Sequence, residues 1–374
     1  MLFGGIHIGD RKSLASGKPT EVLPEPSKVC ISVHQSLGRP AAVCVEKGQN
    51  VKEGQLIAKA DGAISSNVFA SVAGEVTDIV KMTTAAGVEE TFIVISSDGS
   101  GEKDYLAPLT SPSAKEIIKR IGDAGIVGMG GAGFPAAVKD APKCKVDTLI
   151  LNGAECEPYL TCDHRLMIEH ADEIVRGARY IAKALGGTQI MIGIELNKPD
   201  AIAAFEPYDD VKVIALKKRY PMGSEKHLIY SCTGRVVKGG RLPADAGVIV
   251  HNVGSAFSVC QAIELGKPLY ERELTVSGKA VKEPKNLWVK TGTAIADIVK
   301  YCGGEAENPK KVVKGGPMTG TALKGYDDYV TKTTGGVLLM TADETDCLEP
   351  TPCLNCGKCA DVCPMHLMPM QTAF

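Results

Sequence analysis

The chain has 374 residues, more than one ordinary core accommodates, so two to four structural units are expected. Lys and Arg total 42 against 44 Asp and Glu, a formal net charge of −2. That balance excludes a broad basic field for nucleic acid and an acidic disordered tail, and 44% hydrophobic with 23% charged residues is ordinary for a globular protein.

The start, Met1 to His7, lacks a basic region followed by an apolar stretch, so no secretory leader is expected. No apolar run approaches the roughly 20 residues of a membrane helix. Work at a membrane would therefore require docking to another protein of a complex. Five of the 13 cysteines fall between Cys347 and Cys363. Without a leader, that clustering points to metal rather than disulfides, and to a reducing, cytoplasmic compartment.

In chain order, residues 29–80 read as a compact β module inside a first unit spanning 1–100. The segment Val45 to Ile57 repeats apolar residues and glycines (Gly48, Gly54), and Val68 to Val76 supplies a return arm. Together they resemble the barrel-sandwich hybrid of biotinyl and lipoyl domains. The hairpin tip that carries the acceptor lysine in those carriers reads Asp61-Gly62-Ala63 here, so a carrier role would rest on Lys59 alone.

The rhythm changes over 101–268. Ser113 to Glu116 forms a capping box, and Ile117, Ile118 and Ile121 supply a helical stripe. A strand is predicted at Val146–Leu151, one amphipathic helix at His164–Leu185, strands at Gln189–Ile194, Val211–Leu216 and Val248–Val250, and a helix at Ser255–Leu265. Strands alternating with helices predict a parallel sheet covered on both faces, with ligands bound at the carboxyl ends of its strands. Residues 269–345 predict a small α+β unit with strands at Leu274–Ser277, Leu287–Lys290, Lys311–Val313 and Val337–Met340 around a helix at Ala294–Tyr301, with Trp288 in its core. The tail, 346–374, is too short for a core of its own.

Three motifs carry chemistry. Cys353, Cys356, Cys359 and Cys363, followed by Pro364, reproduce the C-x₂-C-x₂-C-x₃-C-P run of bacterial ferredoxins. Three thiolates so spaced converge on one iron–sulfur cubane, and the fourth serves a second cluster. Zinc is the alternative, though its usual spacing is two plus two. One run leaves both clusters incomplete, which reads as a truncated sequence; Cys347 is a spare thiol. Second, Gly125 to Lys139 holds Gly128, Gly130, Gly131 and Gly133, where backbone amides can approach a phosphate. It does not follow a strand as a dinucleotide fingerprint does. Third, Asn152-Gly153-Ala154-Glu155-Cys156-Glu157-Pro158 directly follows a strand, where an amide and two carboxylates suit a ribose, an isoalloxazine edge or a nicotinamide.

These loops, with Arg219 to Lys226 and His251 to Gly254 in the same order, resemble the flavin-binding subunit of respiratory complex I and its relatives, the RnfC proteins of Rnf electron transport complexes. Leu274 to Gly278 and Lys290 to Thr293 are similar to the soluble-ligand-binding β-grasp (SLBB) domain that follows in both. Gly4-Gly5-Ile6-His7 and the sandwich match the Rnf family. The resemblance implies a Rossmann-like FMN and NADH unit between the sandwich and the β-grasp, then the start of a [4Fe-4S] ferredoxin-type tail. It implies that the glycine loop, Asn152 and Asn252 hold FMN. Glu155 and Glu157 match positions near flavin and nicotinamide, Phe134 a ring stacked on the dinucleotide, and Lys139 a phosphate or ribose contact. Tyr220, Gly223, Glu225 and Val253 complete the expected cofactor contacts.

Val127, Met129 and Ala154 depart from the complex I pattern, which has two arginines and an acid there. The implied activity is electron transfer between NADH and iron–sulfur clusters through FMN, with membrane subunits, an iron–sulfur subunit and, indirectly, ferredoxin as partners, at the inner face of the cell membrane. Two other readings stand beside it. One is a cobalamin-reducing flavoprotein, disfavoured by the order of units; the other is a scaffold protein with a vestigial pocket. Six scattered cysteines (Cys30, Cys44, Cys144, Cys232, Cys260, Cys302) read mostly as small core side chains, His164 as a cap or ion-pair partner, and Lys217 to Arg219 as a solvated face.

Overall fold

The computed structural model describes residues 5–85, 87–345, 349, 351–365 and 367–372; Gly4 and Cys347 lie outside the described residues. A strap of chain comes first and ends in β1 (Glu21–Val22). The sandwich follows: β2 (Lys28–Ser32), β3 (Ala42–Val43), β4 (Asn50–Val51), β5 (Leu56–Lys59), β6 (Val68–Phe69), β7 (Gly74–Thr83) and β8 (Glu89–Ser97). They form two sheets, ordered β2-β8-β7-β4 and β3-β5-β6. Alternate side chains turn inward along each strand, so Val29, Ile31, Ile57, Val68, Ile93 and Ile95 close one dry core. The tip at Asp61 to Ala63 is exposed, and Lys59 ends β5 opposite Ala42.

The second unit contains α1 (Ala114–Asp123), α2 (Ala136–Lys139), β9 (Thr148–Gly153), α3 (Cys162–Glu169), α4 (Ala171–Ala184), β10 (Gln189–Glu195), α5 (Pro199–Phe205), β11 (Val211–Leu216), α6 (Glu225–Thr233), β12 (Val248–Asn252) and α7 (Val253–Glu264). The capping box is present: Ser113 Oγ accepts from the Glu116 amide at 3.4 Å, and Glu116 Oε2 accepts from the Ser113 amide at 2.8 Å. The sheet is parallel throughout, in the order β11-β10-β9-β12. Strands β9, β10 and β12 are near-continuous buried runs because helices cover both faces. The single helix predicted over His164–Leu185 is two. His170 sits at φ −134°, outside helical geometry, and its ring packs edge-on against Phe257 and Trp288 at 5.1 and 5.9 Å. Tertiary ring contacts override the helical periodicity there.

The third unit holds β13 (Glu271–Ser277), β14 (Lys285–Lys290), α8 (Ile295–Tyr301), β15 (Lys311–Lys314), β16 (Thr321–Leu323) and β17 (Gly336–Met340). Its sheet is completed by β1 of the strap, which runs parallel to β14 with Val22 opposite Trp288. Trp288 does not fill this unit's core. It packs on the core of the α/β unit beside Phe257, with ring centroids 5.4 Å apart. A large flat ring contributes most where two layers meet.

The units are welded by buried polar contacts. Lys332, fully buried in the third unit, donates to Gly125 O of the α/β unit at 2.7 Å and to Asn67 O of the sandwich at 2.5 Å. Burial pushes its ammonium down to about 7. Of the scattered cysteines, Cys30, Cys260 and Cys302 are buried and Cys232 is half-buried. Cys44 and Cys144 are exposed, contrary to a core reading, because they lie in loop or edge positions. The tail carries α9 (Ala342–Thr345), α10 (Lys358–Asp361) and α11 (Pro369–Thr372), and touches the strap where the Gly5 amide donates to Val362 O at 2.8 Å.

Candidate functional site

A cleft of about 710 Å³ opens at the carboxyl edge of the parallel sheet, between all three units. Its floor is Gly130, Gly131, Asn152, Glu155, Glu157, Gly223 and Asn252. These seven expected site residues, dispersed over more than a hundred positions, converge because the turns after β9 and β12 and the glycine loop share one sheet edge.

Asn252 caps α7. Its Oδ1 accepts from the Gly254 amide at 2.8 Å, and its Nδ2 donates to Asp163 Oδ2 at 2.7 Å. The carboxamide is thus pinned at both ends. Gly130 lies directly against it: a Cβ there would stand 2.9 Å from Asn252 Nδ2. Asn152 is held likewise, donating through Nδ2 to Gly223 O at 2.9 Å and accepting from the Ala154 amide at 3.2 Å. Among the described residues no hydrogen bond satisfies the amides of Gly130, Gly131 or Ala132. A run of open N–H groups beside a cleft is a cradle for an anionic group.

Glu155 is tied down more than the sequence implies. One oxygen accepts from the Asp163 amide at 2.8 Å, at the start of α3, and the other meets Lys12 Nζ at 3.1 Å. A carboxylate at a helix start is the favoured arrangement. Lys12 also donates to Glu157 O at 3.1 Å and to Leu160 O. Asp163, buried beside Glu155, is pushed up to about 6, first by burial and then by the Glu155 charge. Behind this loop Lys198 donates to Ala154 O at 2.7 Å, and burial lowers its ammonium to about 8. Burial pushes the Cys156 thiol up to about 11, which argues against a reactive thiolate beside the cleft.

Other expected contacts sit elsewhere. Lys139 does not reach the cleft: its ammonium is taken by Glu225 Oε1 at 2.9 Å and Val250 O at 2.8 Å. Glu225, at the start of α6, is that ion pair's other half and lies outside the lining with it. Tyr220 pairs its backbone with Ile6 of the strap and borders a small separate hollow with Asp10, Lys12 and Arg219. Val253 faces the core from the first turn of α7. Gly128 and Phe134 close the glycine loop on itself, the Gly128 amide donating to Phe134 O at 2.9 Å, and Gly133 abuts Thr333; none of these three lines the cleft. Val127 also turns inward, toward the core, whereas Met129 packs on that core and lines the cleft as well. His164 Nε2 makes a hydrogen bond with Asp200 Oδ1 at 2.7 Å, and Lys218 is engaged by Asp10 at 2.7 Å rather than merely solvated.

The sequence reading missed Lys12, Asp163, Arg272 and the turn Gly315–Gly320. None of these stood in a motif; Arg272 lies just before the strand expected at Leu274–Ser277, which begins earlier, at Glu271. This arginine is buried, donates to Lys332 O at 2.7 Å and lines the cleft as a fixed cation. The tail cysteines do not line the cleft. Cys353, Cys356 and Cys359 are exposed, Cys363 is half-buried, and all are free thiols. Among the described residues no group of three or more His, Cys, Asp or Glu is gathered to hold a metal ion. The chemistry of the run still fits an iron–sulfur cluster: closely spaced unpaired thiols, one of which, Cys353 Sγ, accepts the Asn355 amide at 3.4 Å. The cleft fits a flavin mononucleotide in volume, in its open amides and in its pinned amide and carboxylate groups. Among the described residues no helix is long and apolar enough to cross a membrane.

Comparison with known proteins bears on the same segments. Residues 1–100 match the RnfC barrel sandwich hybrid domain, 121–261 the Nuo51 FMN-binding domain and 274–322 the SLBB domain. The chain is 44% identical over 98% of its length to the C subunit of the proton-translocating ferredoxin:NAD(+) oxidoreductase complex of Clostridium ljungdahlii, covering 82% of that protein. It is 41% identical to the C subunit of the ion-translocating oxidoreductase complex of Rhodobacter capsulatus, covering 98% of this chain and 73% of the relative. The Na(+)-translocating counterpart in Acetobacterium woodii is 40% identical, with 99% and 86% covered. Among solved structures, an NAD+-reducing [NiFe]-hydrogenase superposes with a TM-score of 0.50 at 21% identity, over 62% of this chain and 47% of that one, a likeness of fold alone.

Proposed function

Because this chain belongs to the RnfC family of ion-translocating oxidoreductase complexes, we propose that it passes electrons between NADH and iron–sulfur clusters by way of FMN seated in the cleft. The observation that carries this reading is the convergence of Gly130, Gly131, Asn152, Glu155 and Asn252 on one sheet edge. FMN, when bound, supplies the conversion between two-electron hydride chemistry and one-electron transfer.

This chain's residues orient and enclose. The open amides of Gly130 to Ala132 and the fixed Arg272 guanidinium hold an anionic group without reorganisation. Asn152 and Asn252 present amides already locked by Gly223, Asp163 and Gly254. Glu157 faces the cleft as an acceptor for substrate hydroxyl or amide groups. Cys353, Cys356, Cys359 and Cys363 would hold iron–sulfur clusters, which would supply one-electron acceptance, and their segment meets the strap at Gly5. The units at 1–100, 101–268, 269–345 and 346–374 divide this work. The strap serves the second and third units by its contacts, although it precedes the sandwich. The chain sits peripherally on the cytoplasmic face of the membrane, held by the other proteins of the complex, with ferredoxin reached through them.

The test is titration of purified protein with FMN followed by anaerobic NADH. Stoichiometric flavin binding and bleaching on NADH addition are expected. Protein that binds FMN but leaves it oxidised in NADH would favour the scaffold reading, and failure to bind FMN would remove the function altogether.

A further inference from the structure

The turn between β15 and β16, Gly315 to Gly320, overhangs the cleft from the third unit. Its Met318 amide donates to Glu157 Oε2 at 3.1 Å, and its Thr319 hydroxyl donates to Glu157 Oε1. Gly316 lies against the same carboxylate, and a Cβ at that position would overlap Glu157 Oε2. Glu157 itself arises from the loop after β9, in another unit. Two donors and one position without a side chain therefore act on a single carboxylate across 161 positions of sequence.

A carboxylate accepts at about four lone-pair sites. The turn occupies two of these, one on each oxygen, and the rest remain open to the cleft. The arrangement removes the rotational freedom of a long flexible side chain before any ligand arrives. It also leaves acceptor capacity for the hydroxyls of a ribose or the amide of a nicotinamide. We propose that Thr319 and Gly316 are positioning residues for Glu157, so that the third unit sets how tightly a nicotinamide dinucleotide is held. The inference rests on the reading of the cleft as an FMN and NADH site.

The test uses the full chain loaded with FMN and measures two equilibria: FMN affinity by fluorescence quenching and NADH affinity by equilibrium dialysis under conditions where turnover is blocked. Thr319 is exposed, so its replacement leaves the core untouched. T319V is expected to weaken NADH about fivefold, the effect of losing one hydrogen bond to a charged group near solvent, while FMN affinity stays within about twofold. T319S restores NADH affinity. G316A, which pushes Glu157 aside, weakens NADH in the same direction. The double variant T319V/E157Q binds NADH no more weakly than E157Q alone, because both act through one carboxylate. Unchanged or tighter NADH binding in T319V, or strict additivity with E157Q, overturns the inference. If the unaltered protein binds FMN but no NADH, the functional reading fails first and this role falls with it.

Discussion

Lys12 Nζ lies 3.1 Å from Glu155 Oε2, and the two side chains are only 8% and 3% exposed. The pair joins the strap that precedes the sandwich to the loop at the carboxyl edge of the parallel sheet. Glu155 holds a left-handed φ of 44° there, a conformation uncommon for a residue with a side chain. Its two oxygens span Lys12 and the start of α3, so the strap fixes the loop that carries Glu157.

Replacing Lys12 with Met keeps the stem's volume and strands the Glu155 charge. Breaking a buried pair from one side costs about 3 kcal/mol. Urea unfolding of K12M should show a loss of that order and a weaker hold on FMN, and K12M/E155Q should regain part of the stability. A K12M protein as stable as the parent would mean the strap does not support this loop.

Asp163 makes stability depend on pH. Its carboxyl titrates near 3.8 in the unfolded chain and at about 6 when folded. Between those values the folded form holds the extra proton. Stability therefore declines as pH rises from about 4 to about 6, and the penalty persists above that range. D163N, which keeps an acceptor for Asn252 Nδ2, should flatten that slope. It should leave the protein more stable at pH 7 by roughly 3 kcal/mol, the order of magnitude that the shift from 3.8 to about 6 sets. Thermal unfolding across pH 4 to 8 checks both.

A methyl group at position 130 tests the cradle. With Asn252 Nδ2 only 2.9 Å from the added Cβ, G130A must displace a carboxamide that is already pinned. The expected outcome is about tenfold weaker FMN binding, one hydrogen bond to a charged or polar ligand group. The far-ultraviolet spectrum should not change, since the loop holds no core residue at that point. Equal FMN affinity in parent and G130A would place the flavin elsewhere.

The cysteine run is separable from the cleft. The tail meets the strap at Gly5 and does not line the cleft. C359S should therefore lose bound iron and the visible absorbance of the cluster, while FMN affinity stays as in the parent. Iron analysis and flavin titration of one preparation read both. Iron content unchanged in C359S would exclude that thiol as a ligand.

Much of the architecture is local information and could be read directly. The Ser113–Glu116 cap, the apolar runs that became β9 to β12, and the glycine spacing before Phe134 each depend on residues a few positions apart. Periodicity failed at His170, where ring contacts with Phe257 and Trp288 break the helix. It failed again at Trp288, whose neighbours come from another unit. Lys139 and Glu225 were expected as separate cofactor contacts because each sits in a motif; folding brings them together, and each neutralises the other.

By itself the sequence determined the order of sandwich, α/β unit and β-grasp, the parallel α/β scheme, the ferredoxin-type cysteine spacing and the loops that meet at a strand's carboxyl edge. Period and spacing are properties of neighbours along the chain. Tertiary structure alone decided that Lys12 braces Glu155, that Asp163 pins Asn252, and that a turn from the third unit grips Glu157. Each of those contacts joins side chains whose separation is set by how whole units pack. A charge gains its partner only when burial removes the water that would otherwise serve it.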